Sequence, residues 1–285
     1  MIIVRQVDAL RDVVRAARAR GERIALVPTM GALHDGHRAL MRRAREECAC
    51  VVVSLFVNPA QFTEPADLDR YPRDEARDVR MMESVGVHVL FAPEVDEVYP
   101  PGFATTVEVA GLSQPLEGEA RGTEHFRGVA TIVTKLLNMV QPDAAYFGQK
   151  DAQQALIIQR LVRDLDLPVR IEICPTVREA DGLAMSSRNA MLDSAARLKA
   201  VTLSQALAAV EDAVSQGETR TAVALAAGST LLHAAGIEPE YFAAVDAATL
   251  LPADAFTGTT LIAIAARVGQ VRLIDNVLIR SGALP

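Results

Sequence analysis

Two histidines three residues apart, His34 and His37, sit in the run Met30, Gly31, Ala32, Leu33, His34, Asp35, Gly36, His37, between an apolar stretch and a helix-patterned one. Residues 23–27 read as a buried strand and residues 38–47 as a helix. A glycine-containing turn that opens a helix gathers unpaired backbone N–H groups and the positive end of the helix dipole. The pair therefore points to phosphate binding and to charge stabilisation during displacement at phosphorus. Two other readings stand beside it. Such a pair can be half of a metal site, although Asp35 is the only carboxylate nearby and no third ligand is evident. The rings can also cap the helix without doing chemistry. A strand end, Gly31, Gly36 and a helix start in one run favour phosphate.

Three further groups could act with them. Lys150 and Asp151 open a predicted helix after a strand. Of the 29 basic residues only three are lysines (Lys135, Lys150 and Lys199), the other 26 being arginines, so an ammonium kept in a polar turn suggests a need for a compact cation. A cation at a helix N-terminus opposes the dipole unless an anion is present. Asp151 can accept from ribose hydroxyls while Lys150 meets phosphate or base, although an exposed Lys–Asp pair is an ordinary alternative. Gln61 and Gln154 carry amides that both donate and accept, suited to a small hydroxylated acid. Ala184, Met185, Ser186, Ser187, Arg188 and Asn189 lie in a polar segment where hydroxyls, backbone N–H groups and a guanidinium could close over a triphosphate. His88, His233 and Lys199 fall inside predicted elements and read as structural; pattern alone assigns neither His125 nor Lys135.

The elements that must position these groups alternate. Residues 8–20 form an amphipathic helix capped by Asp8, and residues 51–55 a second buried strand, which completes a βαβ unit and hence a parallel sheet. Residues 68–85 read as a helix, 87–91 a strand, 128–140 a helix, 144–147 a strand, 151–163 a helix and 169–174 a strand. Residues 111–127, with three glycines, read as a mobile loop or lid. The texture then changes to a polar stretch, Ala-rich helices over 194–215 and 221–235, and strands over 241–245, 260–266 and 271–279. The expected fold is α/β: a doubly wound, Rossmann-like parallel sheet over residues 1–175 and a smaller α+β domain over 176–285. Ligands of such sheets sit at the carboxyl ends of strands, where the His34–His37 run, residues 58–61 and residues 148–151 are expected to converge.

Bulk composition narrows the classes. With 50% hydrophobic and 23% charged residues the chain reads as globular. A net charge of −7 argues against nucleic acid or an anionic membrane as partner. Residues 1–5 do not carry the basic start and long apolar stretch of a signal peptide, no apolar run approaches membrane length, and Cys48, Cys50 and Cys174 have neither metal-ligand nor CxxC spacing, so a cytoplasmic protein with reduced thiols is expected.

In order along the chain, Pro28-Thr-Met-Gly-Ala-Leu-His-Asp-Gly-His37, Phe56-Val-Asn-Pro-Ala-Gln-Phe62, His125-Phe-Arg-Gly-Val129, Tyr146-Phe-Gly-Gln-Lys-Asp-Ala-Gln-Gln154 and Asp181-Gly-Leu-Ala-Met-Ser-Ser-Arg-Asn189 resemble the blocks of the nucleotidylyltransferase superfamily in its pantothenate synthetase form. Arg272-Leu-Ile-Asp-Asn276 is similar to that family's C-terminal end. The resemblance implies ATP-dependent ligation of pantoate to β-alanine through a pantoyl adenylate, with Mg²⁺ offsetting phosphate charge, in a cytoplasmic homodimer whose second domain is a lid. It implies ATP contacts from Met30, Gly31, Ala32, Leu33, His34, Asp35, Gly36 and His37, from Gly148, Gln149, Lys150 and Asp151, from Val177 (adenine), and from the clamp Met185, Ser186, Ser187 and Arg188. His34, His37, Lys150, Ser186, Ser187 and Arg188 would be catalytic. Gln61, Gln154 and Asn58 would hold pantoate, with Gln61 bordering β-alanine, and Asp78 falls where the family carries an acidic residue that could reach a metal through water. Ala152 stands where an aromatic residue is usual. Residues 121–125 are one longer than the family's form and lack its proline. A related adenylyltransferase acting on phosphopantetheine or a mononucleotide, and a nucleotide-binding module without turnover, are the competing readings; two acceptor glutamines favour ligation of a small acid.

Overall fold

Strands that are apolar on both faces belong in the middle of a parallel sheet, and β2 (Ile24–Thr29) and β3 (Cys50–Leu55) occupy that place. The structure, a computed structural model, describes residues 1–62 and 65–281. With β1 (Ile2–Val4), β4 (Val89–Phe91), β5 (Ala144–Gly148) and β6 (Arg170–Cys174) these strands form a six-stranded sheet in the order β1-β4-β3-β2-β5-β6, every pair parallel. Chain order runs outward on one side of β2 through β3 and β4, and on the other through β5 and β6. The switch point therefore lies between β2 and β5. One core layer combines Val27, Val51, Val53 and Tyr146 of the sheet with Leu40, Met41 and Ala44 of the helix Asp35–Glu47.

A second, antiparallel sheet holds β7 (Pro239–Asp246), β8 (Thr259–Val268) and β9 (Val271–Arg280) in that order. Its Ile262 and Ile264 are buried with Leu203, Leu207 and Val210 of the helix Thr202–Ser215. The α/β class with a smaller α+β part stands as expected. The chain divides into two compact units, Met1–Gly148 with Gln153–Pro175, and Gln149–Ala152 with Thr176–Pro285; residues 282–285 lie outside the described residues. Among the described residues, no helix is long and apolar enough to cross a membrane. All three cysteines are buried and free of disulfides.

Several boundaries differ from the sequence reading, each for a local reason. The first helix is Val7–Ala19, with Gln6 at its N-cap position and no side-chain cap, so Asp8 lies in its first turn and serves the dipole instead. The helix expected over 68–85 is two helices, Pro65–Arg70 and Glu75–Val85. Pro72 supplies no N–H to continue the first, and the Asp74 carboxylate starts the second by accepting from the Arg77 N–H at 3.0 Å. The expected loop over 111–127 carries a helix, Glu117–Arg121, and the start of another, Thr123–Val140. Gln153 ties it down from the next helix, donating to the Leu112 and Pro115 carbonyls at 2.8 and 2.7 Å and accepting from the Glu117 N–H at 3.0 Å. Lys150 and Asp151 lie in a 3-10 turn, Gln149–Asp151, before the helix Ala152–Asp164.

Candidate active site

The carboxyl end of β2 leads through residues 30–33 into the helix Asp35–Glu47, with His34 as its extended N-cap residue. Gly31 and Ala32 both take positive φ, 86° and 52°, a conformation glycine adopts freely and alanine only against a steric cost. Asp78 holds that turn. Its two carboxylate oxygens accept from the Ala32 and Leu33 N–H groups, each at 2.9 Å, and the residue is only 1% exposed. Burial pushes the Asp78 pKa up from the ordinary carboxylate value, against the lowering effect of the Leu33 and Ala32 hydrogen bonds. Both Asp78 oxygens thus hold the backbone of the turn that leads to the histidines. Asp35 is paired with Arg38 at 2.7 Å. Among the described residues, no group of three or more His, Cys, Asp or Glu side chains is placed to hold a metal ion.

The two imidazoles do cap the helix, and the capping sets their chemistry. His34 Nδ1 accepts from the Gly36 N–H at 3.1 Å, and His37 Nδ1 accepts from the His34 N–H at 3.3 Å. An Nδ1 that accepts carries no proton, so each neutral ring has its proton on Nε2, a donor suited to a phosphate oxygen. The ring centroids lie 4.2 Å apart at the positive end of the helix dipole.

Beyond β3, Asn58 opens the short turn Pro59–Gln61. Its amide nitrogen donates to Gln61 Oε1 and to the Gly128 carbonyl, each at 3.1 Å. Its oxygen accepts from the Tyr99 hydroxyl at 2.8 Å and the Ala60 N–H at 3.3 Å. With its donors and acceptor so used and 1% exposure, Asn58 orients Gln61. Gln61 Nε2 in turn reaches Met30 Sδ at 3.0 Å, which brings two of the sequence-identified segments into direct contact. His125 is buried behind them: Arg121 Nη1 lies 3.0 Å from its Nε2, and its Nδ1 lies 2.8 Å from the Gln61 carbonyl. Because a guanidinium only donates, Nε2 accepts and Nδ1–H donates to Gln61, so His125 also supports the glutamine turn. Gln154 is half-buried on the first turn of Ala152–Asp164.

Sequence reasoning missed Tyr99, Gly128 and Gln153 as supports. Tyr99 is pushed up to about 12 by burial, which keeps its hydroxyl a donor to Asn58. Lys135, left unassigned by pattern, places its ammonium 4.5 Å from the Phe103 ring centroid and 5.8 Å from that of Tyr99, a cation–π packing role. His88 is structural, as expected, accepting from the Val51 N–H at 2.9 Å.

In the second unit, a pocket is lined by Lys150, Ala184, Ser186, Arg188, Arg272 and Asp275, among others. Lys150 Nζ lies 3.8 Å from Asp151 Oδ1. Ser186 caps the turn Ser187–Met191, its hydroxyl accepting from the Arg188 N–H at 3.2 Å. Val177 and Met185 are backbone partners, the Met185 N–H donating to the Val177 carbonyl at 2.9 Å. Lys150 thus shares one cationic, hydroxyl-bearing pocket with Ser186 and Arg188, which lie far from it in sequence.

A parallel α/β sheet whose switch-point strand delivers two imidazole donors to a helix N-terminus defines a phosphate-binding α/β protein of the nucleotide-handling kind. A model of the pantoate-beta-alanine ligase family matches residues 2–278, and the chain belongs to that family. The pantothenate synthetase of Moorella thermoacetica is 49% identical over 98% of this chain and 99% of its own. That of Acidiphilium cryptum is 52% identical over 98% and 100%. The crystal structure of pantothenate synthetase from Thermus thermophilus superposes with a TM-score of 0.91 at 46% identity, covering 97% of this chain and 99% of that one. Pantoate-beta-alanine ligase from Francisella tularensis, complexed with beta-gamma ATP and beta-alanine, gives 0.79 at 33% identity over 98% and 97%.

Proposed function

We propose that this chain forms pantothenate by adenylating pantoate and passing the activated acyl group to β-alanine. A carboxylate and an amine do not condense readily in water, because the amine is protonated and the departing oxygen is a poor leaving group. In the first step a pantoate carboxylate oxygen attacks the α-phosphorus of ATP and pyrophosphate leaves. In the second the β-alanine amine attacks the acyl carbon of the resulting mixed anhydride, loses a proton, and AMP leaves. Holding the anhydride away from water limits its hydrolysis.

The observation that carries this reading is the pair of imidazoles fixed through Nδ1 by backbone N–H groups at the helix N-terminus, whose Nε2–H groups would donate to a phosphate developing charge there. Residues 30–37 would take one side of the ATP phosphates. Lys150, Ser186, Ser187 and Arg188 would take the departing pyrophosphate, while Val177 borders adenine and Gly148, Gln149 and Asp151 complete the nucleotide contacts. Gln61 and Gln154 would bind pantoate, Gln61 held in place by Asn58. The Francisella relative, whose complex contains β-γ ATP and β-alanine, supports ATP and β-alanine as substrates. Mg²⁺ fits no carboxylate cage among the described residues, so it is expected only as the counter-ion that arrives with ATP, and no step is assigned to it. The reading includes a cytoplasmic homodimer with a nucleotide- and pantoate-binding first domain over 1–175 and a lid-bearing second over 176–285, all by family resemblance.

Purified protein with ATP and Mg²⁺ is expected to release pyrophosphate when pantoate is added and AMP when β-alanine follows. Stimulation by phosphopantetheine and not by pantoate would replace ligation with nucleotidyl transfer to a phosphorylated acceptor. Light scattering at twice the chain mass would support the dimer.

A further inference from the structure

Neighbouring residues on a strand send their side chains to opposite faces, so one dipeptide can engage two different segments. Asp275 and Asn276, adjacent on β9 and each 3% exposed, do this. Asn276 Nδ2 donates to the carbonyls of both Gln149 and Lys150 at 2.9 Å, and its Oδ1 lies 3.4 Å from Gln149 Nε2. The backbone of the Lys150 turn is thereby fixed from a strand 126 residues further along the chain.

Asp275 faces the hairpin that leads into the Ser186–Arg188 segment. Arg178 pairs with it in a fork, Nη1 to Oδ2 at 2.6 Å and Nη2 to Oδ1 at 3.1 Å, while Nη1 also donates to the Gly182 carbonyl at 3.1 Å. Asp275 Oδ1 accepts from the Asn276 N–H at 2.8 Å as well, which links the two halves of the dipeptide. The hairpin closes through the Glu179 N–H to the Leu183 carbonyl at 2.8 Å, and Asn189 ties its far side by donating to the Ala184 carbonyl at 3.1 Å. Lys150, Ser186, Arg188 and Asp275 then line the same pocket.

We infer that Asp275 and Asn276 are the positioning residues that register the Lys150 ammonium against the Ser186–Arg188 segment, so that both meet one polyphosphate. The inference deepens the proposed function and rests on its assignment of Lys150 to ATP. Neither side chain is expected to touch substrate. Their effect passes through backbone: Asn276 sets where the Lys150 stem begins, and Asp275 sets where the hairpin carrying Ser186 begins. A fixed frame matters because a small displacement of a cation from a developing charge costs rate while leaving ground-state binding largely intact.

The test is a double-mutant cycle on pantoate-dependent pyrophosphate release, with Asn276→Asp, Lys150→Ala and the double variant. Asn276→Asp is nearly isosteric but turns acceptor oxygens toward two carbonyls. It is expected to lower kcat by about tenfold or more with a smaller change in KM for ATP, and to lower it by less than about twofold when Lys150 is already Ala. Equal fold-losses in both backgrounds, with Lys150→Ala itself slow, would overturn the positioning role alone. If Lys150→Ala releases pyrophosphate at the parent rate, the assignment of Lys150 fails and this inference with it. Should Asn276→Asp fail to fold, Asn276→Ala carries the same cycle without the added charge. Arg178→Lys, which breaks the fork to Asp275, is expected to lower kcat in the same sense and to be non-additive with Ser186→Ala; additive losses there would limit the role to Asn276.

Discussion

At the level of single residues, the two histidines show how a structural hydrogen bond can define a chemical one. Both rings accept backbone N–H groups through Nδ1, so helix capping and a neutral-ring proton on Nε2 are two consequences of one geometry. His37→Ala is therefore expected to cost about 1 kcal/mol of stability, as lost caps do, but to slow pyrophosphate release far more, by about a hundredfold or greater. Denaturant titration beside rate measurement checks this; a large stability loss with a proportionate rate loss would reduce the ring to a cap. Asp78 is the opposite case. Asp78→Ala strands two buried N–H groups on a turn already at positive φ, and an unfolding free energy lower by about 2–5 kcal/mol is expected. A change near zero would mean that the turn holds itself.

At the level of elements, the glutamine turn depends on a helix packed against it. A Cβ placed on Gly128 would lie 2.2 Å from the Ala60 carbonyl oxygen and 2.8 Å from Gln61 Cα, both backbone atoms that cannot rotate away. The helix Thr123–Val140 thus approaches the turn Pro59–Gln61 as closely as a glycine allows, and the same glycine's carbonyl accepts from Asn58. Gly128→Ala is expected to shift Gln61 and raise KM for pantoate several-fold while KM for ATP moves little. Steady-state kinetics with each substrate varied would show it, and equal changes in both would point to general loosening. Tyr99→Phe, which removes the donor to Asn58, should change pantoate KM in the same direction by a smaller factor.

For the whole molecule, stability is expected to depend on a histidine remote from phosphate chemistry. His88 lies beneath β3 with Nδ1 accepting from the Val51 N–H and Arg45 Nη1 3.0 Å from Nε2. Burial, then the Arg45 charge, lowers its pKa from 6.5, while the Glu22 carboxylate pulls weakly the other way. The unfolded chain therefore takes up this proton at a higher pH than the folded one. Stability from His88 is fully present above about pH 6.5 and is lost as pH falls through the lower folded value. The melting temperature should drop between pH 7.5 and pH 5, and His88→Gln, which keeps an acceptor for Val51, should flatten that slope. An unchanged slope in the variant would assign the loss to other groups.

The sequence by itself determined the alternation of strands and helices, the α/β class with its smaller α+β part, the order of the motif blocks and, through them, the family. Those features are written in local periodicity and residue type, which survive in a linear string. Boundaries went astray where one backbone feature outweighed pattern, as at Pro72, or where distant contacts ordered a glycine-rich stretch, as Gln153 orders residues 112–117. Only the tertiary structure decided what the candidate residues do for one another. Asp78 meets Ala32 across 46 residues and Asn276 meets Lys150 across 126, and no spacing rule spans such loops. The reason is physical: a buried polar group must find a partner wherever the packed chain supplies one, so its role is fixed by the fold that brings the partner near and not by its neighbours in sequence.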